Sequence, residues 1–288
     1  MAVSNTGKGL AASPAPIALR DDHLPQALEL SRALKWPYRL EDWQIAHRLG
    51  RGFAVEDDGR LIGTGLWWPY GERHASVGMI IVAPSAQRRG IGRAIMDAIL
   101  ADAAGRTIIL NSTEEGLDLY TRLGFVAHGH VLQHQTVLAR APAADDSAAL
   151  RRLTHADFRS IENLDMAASG MDRRVLVDAL LETGSFIGIE RAGRLSGYAC
   201  VRTWGRGVVI GPVVAADAQD ARSLIAELAA SHVGNFVRID VTFASDLSPW
   251  LSTIGLPCVG RVVAMTLGTP PERSAAATLF ALSNQSLG

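Results

Sequence analysis

A short stretch rich in glycine and arginine joins a predicted buried strand to a predicted helix, and it has the composition of an anion-binding loop. The strand ends at Val82, and the stretch runs from Gln87 to Arg93 with glycines at positions 90 and 92. Apolar residues then recur at helical spacing from Ile91 to Ile99. The start of such a helix presents free N–H groups and the positive end of its dipole, which attract a phosphate. The arginines would suit a pyrophosphate, but the stretch alone is equally typical of a plain strand-to-helix turn.

Two better-known phosphate-binding patterns are excluded for this stretch. No Gly-Lys-Ser or Gly-Lys-Thr follows it, so it is not a Walker loop, and its glycines do not complete a dinucleotide-binding fingerprint.

A second candidate segment follows the next predicted strand, Thr107–Leu110. There, Leu119, Tyr120 and Leu123 share one face of a predicted helix, and Gly124 is placed to end it. By spacing alone, Tyr120 is a core aromatic.

Taken together, the two segments resemble the GNAT superfamily of acetyltransferases. The resemblance rests on Gln-x-x-Gly-x-Gly at residues 87–92, after a buried strand, and on Leu-Tyr-x-x-Leu-Gly-Phe at residues 119–125. It covers residues 17–140. It implies a fold in which the central pair of strands separates after a bulge, with the pantetheine arm of acetyl-CoA in the gap.

The resemblance also implies which residues contact this co-substrate. Contacts with strand backbone fall at Ile80, Ile81 and Val82. The implied pyrophosphate contacts are Gln87, Arg88, Arg89, Gly90, Ile91, Gly92 and Arg93. Thr113 takes the position where many family members have an asparagine near the cofactor. Acetyl-CoA is the one cofactor implied, and no metal is expected.

By the same resemblance, Tyr120 is the candidate general acid. Its hydroxyl would protonate the departing CoA thiolate while an amine attacks the thioester directly in a ternary complex. A well-placed proton donor contributes roughly 10²–10⁴-fold to the rate. No covalent enzyme intermediate is needed, so the lack of a cysteine in the first half is no obstacle.

The residues on the acceptor side are less well defined by the sequence. Family members often carry an acid on the central strand, but residues 77–80 offer none, and Asp42, beside Glu41, is the nearest candidate for a base or amine anchor. Asp42 could equally be a solvated helix charge. The tryptophans Trp36, Trp43, Trp67 and Trp68 could line an apolar or cation-binding pocket, or belong to the core.

The two halves of the chain repeat each other, which predicts a duplicated domain. Gly-Arg-Leu-Ile-Gly at residues 59–63 recurs as Gly-Arg-Leu-Ser-Gly at residues 193–197, and two further matches keep the same order and spacing. A length of 288 residues is also typical of two domains. The fold predicted is α/β, with two GNAT-like domains that each have a mixed central sheet flanked by helices.

The arm and the linker follow from composition, whereas the two domains are assigned from the family resemblance and the repeat. Residues 1–15 are predicted to be a flexible arm, residues 16–140 the domain that binds acetyl-CoA, and residues 141–147 a linker. Residues 148–268 are predicted to be a degenerate GNAT-like domain. Residues 269–288 form a tail, which could contain a short helix at Ala275–Leu282 or be disordered.

The second half departs from the pattern at the positions that matter for the cofactor. If Arg222 pairs with Arg93, the loop is shortened, both glycines are lost, and Asp220 adds negative charge. The position that pairs with Tyr120 is Leu251, which cannot donate a proton. The second half is therefore predicted to keep the fold without the cofactor site, and its Asp240 is predicted to face the substrate cleft.

Composition limits the classes of partner. The net charge of −1 argues against a nucleic-acid or membrane-surface binder, which needs a basic surplus. Cys200 and Cys258 do not have metal or disulfide spacing, and His128, His130 and His134 lack an acid or cysteine cluster. No signal peptide or membrane span is recognised, so the expected compartment is the cytoplasm. A homodimer is left open.

The sequence therefore predicts an N-acetyltransferase that moves acetyl from acetyl-CoA to a primary amine. A small-molecule or amino-acid-like acceptor is favoured, because the second domain is expected to narrow the cleft. Two alternatives stay open, a protein lysine acetyltransferase and a non-catalytic sensor of acyl-CoA. Acetylation assays with a panel of peptides and a panel of small amines distinguish the first alternative from a small-molecule acetyltransferase. Indifference to a Tyr120→Phe change would identify the second.

Overall fold

The structure is a computed structural model, and it describes residues 14–143 and 149–288. The predicted N-terminal arm, residues 1–15, lies almost wholly outside the described residues, as does most of the predicted linker, residues 141–147. The description below refers to residues 14–143 as the first half and to residues 149–288 as the second half.

The first half contains strands that alternate with helices in an α/β order. Its elements are β1 Ile17–Ala18, α1 Leu24–Ala33, α2 Leu40–Leu49, β2 Arg51–Asp57, β3 Arg60–Tyr70, β4 His74–Val82, α3 Ile91–Asp102, β5 Thr107–Ser112, α4 Leu117–Arg122 and β6 Val126–Val137. The predicted hairpin between β2 and β3 is confirmed. Asp58 and Gly59 form its turn with φ angles of 50° and 73°, the left-handed pair that a tight hairpin requires.

The second half repeats this order. Its elements are β7 Leu150–Leu153, α5 Phe158–Ser169, α6 Arg174–Thr183, β8 Gly184–Arg191, β9 Arg194–Trp204, β10 Gly207–Ala215, α7 Ala218–Ala230, β11 Phe236–Thr242, α8 Ser248–Thr253, β12 Cys258–Leu267 and β13 Thr278–Ala281. The hairpin turn recurs at Ala192 and Gly193, with φ angles of 50° and 73°. The element order therefore agrees with the predicted duplication.

The tail departs from the prediction. The helix predicted at Ala275–Leu282 is wrong, because Thr278–Ala281 forms the strand β13. The alanine-rich sequence favours a helix locally. The neighbouring strands β10 and β11 override this preference, since β13 pairs with both of them and satisfies its backbone on each side.

All of these strands belong to one mixed sheet, rather than to two separate ones. The 13 strands follow the order β1-β2-β3-β4-β5-β12-β6-β11-β13-β10-β9-β8-β7. The halves exchange strands at the centre: β12 of the second half pairs with β5 of the first, and β6 of the first half pairs with β11 of the second. Each half therefore completes the sheet of the other.

The helices cover both faces of the sheet. Helix α3 packs on one face through Ile91, Ile95 and Ile99, which are all buried. On the opposite face the two halves touch, because the segment between α1 and α2 packs on the β9–β10 turn. A single hydrophobic core, which also includes these α3 residues, contains residues of both halves and of the tail. Among the described residues, no helix is long and apolar enough to span a membrane.

Candidate active site

The central strands of the first half separate partway along their length. Strands β4 and β5 run parallel and pair only from His74–Val77 to Thr107–Leu110. A bulge follows in β4, where Met79 has a φ of 52° and its carbonyl accepts a 3.1 Å hydrogen bond from the Thr64 hydroxyl. Bulges re-aim a strand and end its pairing. The result is a gap between the two strands beyond this point.

The backbone positions implied by the family resemblance lie along this gap. Ile81 and Val82 pair with Thr64 and Gly63 of β3 on one side. On the side of β5, residues 80–82 have no strand partner in the described part of the chain. The gap therefore exposes a free strand edge whose N–H and C=O groups suit an extended, amide-bearing ligand.

The loop after β4 has the geometry of an anion site. Arg88 and Gly90 have φ angles of 61° and 79°, and Gly90 is the N-cap of α3. Left-handed residues in such a loop turn successive N–H groups toward one point, which favours a bound anion. Gln87 braces the loop, because its side-chain amide donates to the Val82 carbonyl at 3.4 Å.

The charged side chains of the loop lie at the protein surface. Arg88, Arg89 and Arg93 are all exposed. Arg89 pairs with Asp57 at 3.0 Å, and Arg93 pairs with Asp97 at 2.8 Å. Exposed pairs of this kind contribute little to stability. Their guanidinium groups can therefore re-orient toward a pyrophosphate at small cost.

Helix α4 lies against the start of α3, and it carries the predicted acid. A Cβ added to Gly92 would lie 3.6 Å from a Leu119 methyl group, so the two helices meet at the loop. Tyr120 is buried beside Phe125, with ring centroids 5.8 Å apart. Its hydroxyl has no hydrogen-bond partner within residues 14–143 and 149–288. Burial raises the pKa of Tyr120 to about 12, so the hydroxyl holds its proton at neutral pH.

Thr113 lies directly after β5, where the chain turns toward α4. It precedes the short 3₁₀ turn Glu114–Gly116, and its carbonyl accepts a 2.7 Å hydrogen bond from the Ser112 hydroxyl. The position therefore lies at the separated end of β5, and its contact with the cofactor stays a prediction.

The same gap exists in the second half, but the chain itself fills it. Strands β10 and β11 pair only from Val208–Ile210 to Val237–Ile239. Beyond that point β13 enters between them, pairing with β10 through Val213–Ala215 and with β11 at Val241. The backbone edges that are open in the first half are therefore satisfied by β13 in the second.

The anion loop is also absent from the second half. Only residues 216 and 217 separate β10 from α7, and Asp217 caps the helix by accepting from the Asp220 N–H at 2.9 Å. Asp220 is buried in an ion pair with Arg191. The position of Tyr120 is taken by Leu251, which is fully buried. A carboxylate thus occupies the helix start where a phosphate would otherwise bind.

The acceptor-side residues predicted from the sequence do not form one cluster. Trp43 and Trp68 are buried in the core, as is Trp67, whose indole N–H donates to Asp102 at 2.9 Å. Trp36 is half-buried and packs edge-on against Tyr38, with ring centroids 6.2 Å apart. Of the four predicted tryptophans, Trp36 is the one that is not buried in the core, and its contact with an acceptor stays a prediction.

Asp42 has a position that the sequence does not reveal. It is fully buried, and its oxygens accept from the Arg39 backbone N–H at 2.8 Å and from the Arg39 guanidinium at 2.6 Å. It also accepts from the Gly205 N–H at 2.8 Å, across the boundary between the halves. The role of Asp42 as a base stays a prediction, but these contacts favour an anchoring role.

Asp240 lies on the same sheet face as the tail, in a polar group that the sequence analysis otherwise missed. It is fully buried and forms a paired contact with Arg238 at 3.0 and 3.1 Å. Gln285 of the tail donates to both Asp240 and Gln133. Nothing local in the sequence identifies this group, because its members come from three separate segments.

Two further features lie outside this site. His134 is buried, with its ring nitrogens 2.7 Å from the Leu256 carbonyl and 3.0 Å from the Ser248 hydroxyl. Within residues 14–143 and 149–288, no group of histidine, cysteine or acidic side chains is arranged to hold a metal ion. A surface groove beside Leu24, Gln44 and His47 contains no residue of β4 or β5.

Comparisons with known proteins agree with this geometry. Residues 18–125 match the model of the acetyltransferase (GNAT) family, and residues 161–281 match that of an acetyltransferase (GNAT) domain. The chain is 29% identical over 230 residues to the uncharacterized N-acetyltransferase YitH of Bacillus subtilis (strain 168), covering 78% of this chain and 81% of that protein.

Solved structures share the complete fold. A protein of Pyrococcus horikoshii assigned as an acetyltransferase aligns with a TM-score of 0.81 at 19% identity, covering 99% of both chains. A tandem GNAT protein from the clavulanic acid biosynthesis pathway aligns with a TM-score of 0.61 at 18% identity, covering 89% of this chain and 99% of the other.

The two matched segments together span more than two thirds of the chain. The chain therefore belongs to the GNAT family of N-acetyltransferases, as a tandem protein with one family domain in each half. Acetyl-CoA is the co-substrate that this family uses.

Proposed function

We propose that this enzyme carries one acetyl-CoA site, in its first half, and transfers acetyl to the primary amine of a small-molecule or amino-acid-like acceptor. The observation that carries the single site is the contrast between the two gaps. In the first half the gap beyond Val77 is open, whereas β13 fills its counterpart between β10 and β11. The anion loop and the buried tyrosine occur in the same half as the open gap.

The residues of the first half fit the three parts of acetyl-CoA. The N–H groups at the start of α3, with the exposed arginines of the loop, suit its pyrophosphate. The free edge of Ile80, Ile81 and Val82 suits the amides of the pantetheine arm. Bound acetyl-CoA would supply the activated thioester, and the bulge at Met79 would place that group at the root of the gap.

Tyr120 is proposed to hold and deliver the proton that the leaving sulfur requires. Its pKa of about 12 keeps the phenol protonated at neutral pH, so the hydroxyl has a proton to donate in the transition state. The other predicted catalytic residue, Asp42, is bound to Arg39 and Gly205, so in this proposal the acceptor amine attacks without help from it.

The shape of the acceptor side supports a small acceptor. The segment between α1 and α2 closes against the β9–β10 turn, with the Tyr38 and Trp204 rings 5.6 Å apart. In the shared sheet, Gln133 of the first half lies opposite Asp240 of the second half, which is paired with Arg238. A folded protein surface would have to part the contact between Tyr38 and Trp204 to present a lysine.

Calorimetric titration of acetyl-CoA into the full chain tests the single site. We expect one site per chain, abolished by Gly92→Glu, because this change puts a carboxylate at the second residue of α3. A Cβ at Gly92 makes only ordinary contacts, 3.6 Å from Leu119 and 3.7 Å from Val82, so the variant should fold. The matched control is Gln219→Glu, at the second residue of α7, which should leave binding unchanged.

The outcomes of that titration are distinct. Two sites per chain, or a loss of binding with Gln219→Glu, would contradict the proposal for the second half. Release of free CoA thiol in the presence of small amines and of lysine peptides then tests the acceptor class. Transfer to peptides alone would favour a protein lysine acetyltransferase, and tight binding without transfer would favour a sensor.

A further inference from the structure

The end of the tail folds into a compact turn inside the protein. The Asn284 side-chain oxygen accepts from the backbone N–H groups of Ser286 and Leu287, both at 2.8 Å. The N–H of Ser283 donates to the carbonyl of Gly288 at 3.0 Å and closes the turn. We name residues 283–288 the tail turn. Every residue of it is buried or half-buried.

Side chains of both halves hold the carbonyl groups of the tail turn. The donors are Tyr70 to Leu287, Ser76 to Ser286, Asn111 to Gln285 at 2.9 Å, and Arg202 to Ser283 at 3.0 Å. Asn111 directly follows the last β5 residue that pairs with β4, and Ser76 lies two residues before the bulge-preceding Gly78, whereas Tyr70 lies at the far end of β3, opposite His74. The tail turn is therefore fixed at the point where β4 and β5 separate.

Ser286 occupies the space of a missing side chain on β4. Gly78 directly precedes the bulge, and a Cβ built on it would lie 2.7 Å from the Cβ and 2.8 Å from the Oγ of Ser286. Real Cβ atoms do not approach this closely, so Gly78 and Ser286 fit only because one of them is glycine. Burial raises the pKa of the nearby Tyr38, and the Ser286 side chain offsets part of that rise.

The tail turn lies on the face of the sheet opposite to the anion loop. Gly65 faces α3, because a Cβ there would meet Ile95 and Ile99. Gly78 pairs with the next residue, Leu66, and therefore faces the other side, toward the tail. The tail turn therefore borders the root of the gap from the face opposite to α3 and the anion loop.

We propose that the tail turn is a wall of the acceptor site, and that Ser286 is a positioning residue beside the acetyl group. This inference rests on the proposed acetyl-CoA site of the first half. Strand β13 anchors the wall in the second half, and Gln285 links it to Gln133 and Asp240. The acceptor site is thus built from both halves and from the tail, and its wall is polar.

A cysteine substitution at position 286 tests the placement without knowledge of the acceptor. In Ser286→Cys, the thiol sulfur would bond to the acetyl carbon as the bond from that carbon to the CoA sulfur breaks. The thiol proton would pass to the CoA sulfur, so that free CoA leaves. The background is Cys258→Ser, because Cys258 is exposed, whereas Cys200 is buried and its pKa is raised to about 12.

Intact mass after incubation with acetyl-CoA gives the readout, with peptide mapping to locate the acetyl group. We expect the new thiol of Ser286→Cys to be acetylated at least about tenfold faster than that of the matched control Ser274→Cys, because proximity raises effective concentration. Ser274 is an exposed tail residue that packs beside α5. Adding Gly92→Glu should abolish the difference.

Titration of acetyl-CoA into the same Ser286→Cys protein separates the two proposals. If acetyl-CoA binds but the thiol at position 286 is not acetylated, the proposal that the tail turn is a wall is contradicted, whereas the proposed cofactor site is not. If the wild-type protein does not bind acetyl-CoA, both the proposed cofactor site and the proposed wall are contradicted. Equal labelling at positions 286 and 274 would also overturn the wall.

Kinetics provide a second readout on any amine that the wild-type protein acetylates. We expect Ser286→Ala to change the KM for the amine by about threefold or more, while the KM for acetyl-CoA and the Tm stay unchanged. Deletion of residues 283–288 leaves β13 in place and should lower the rate with every amine. A uniform rise in rate would show that the tail turn is a plug, and would overturn the proposal.

Discussion

Replacing Asp42 by alanine should destabilise the whole protein, because this side chain links the two halves. Its carboxylate accepts from the backbone N–H and the guanidinium of Arg39, and from the N–H of Gly205 in the second half. The substitution leaves the Gly205 N–H without this partner and removes the counter-charge from Arg39. A buried donor that loses its partner costs about 1–3 kcal/mol, and the half-buried Gly205 N–H should fall at the lower end of this range.

The magnitude follows from the exposure of each partner. Asp42 is fully buried, but the Arg39 side chain is 33% exposed, so solvent screens part of its charge. Hydrogen bonds to charged groups contribute about 1.5–3 kcal/mol each when they are buried. After this discount, we expect Asp42→Ala to lower the free energy of unfolding by about 2–4 kcal/mol. The expected fall in Tm is roughly 4–16 °C, at about 2–4 °C for each kcal/mol.

Thermal and urea unfolding of Asp42→Ala measure this loss, and Glu41→Ala is the matched control. Glu41 is the exposed neighbour on the same helical turn, so its removal should change stability by less than about 0.5 kcal/mol. A Tm of Asp42→Ala that equals the wild-type value would refute the anchoring argument. If acetyl transfer were lost at the same time, Asp42 would instead be the base that the sequence suggests.

Three further predictions follow from the structure. Tyr120→Phe should lower kcat by about 10²-fold or more with unchanged acetyl-CoA affinity. Because burial raises the pKa of Tyr120 to about 12, the wild-type rate should show no fall due to this group between pH 7 and about pH 10. Burial lowers the pKa values of His74, His128, His134 and His232, so folding favours their neutral forms. Their contribution is fully present above the unfolded pKa of about 6.5 and is lost as the pH falls below it, so urea unfolding should show less stability at pH 5 than at pH 7.5, and a gain would contradict this reasoning. Finally, thermal unfolding should show one cooperative transition, since β6 and β12 each complete the other half, and two separated transitions would show that the halves fold independently.

The parts of the fold that depend on local pattern could be predicted from the sequence. The hairpin at Asp58 and Gly59 and its repeat at Ala192 and Gly193 need left-handed residues, which glycine signals directly. The buried central strands, β4 and β10, read as continuous apolar runs. The loop from Gln87 to Arg93 was recognisable for the same reason, since its function depends on residue types at adjacent positions.

The parts that depend on distant pairing could not be predicted. Nothing in the sequence of β6 or β12 indicates that each strand leaves its own half, because pairing across the boundary satisfies the same alternating pattern. Trp67 and Asp42 illustrate the limit for side chains. Residue type suggests a pocket aromatic and a base, but whether each side chain reaches a cleft depends on contacts with Asp102 and Gly205, far along the chain.

The filled gap of the second half and the proposed wall of the acceptor site are formed by consecutive parts of the tail. A bulged strand pair leaves N–H and C=O groups along the gap, and buried groups of this kind require partners. In the second half β13 supplies them through Val213–Ala215 and Val241, so the tail is held in the sheet without a cofactor. The chain that leaves β13 then lies within reach of Ser76, Gly78 and Asn111 of the first half. In our proposal, the second half has no acetyl-CoA site but still contributes to catalysis, because β13 in its gap fixes the residues that contact the acceptor.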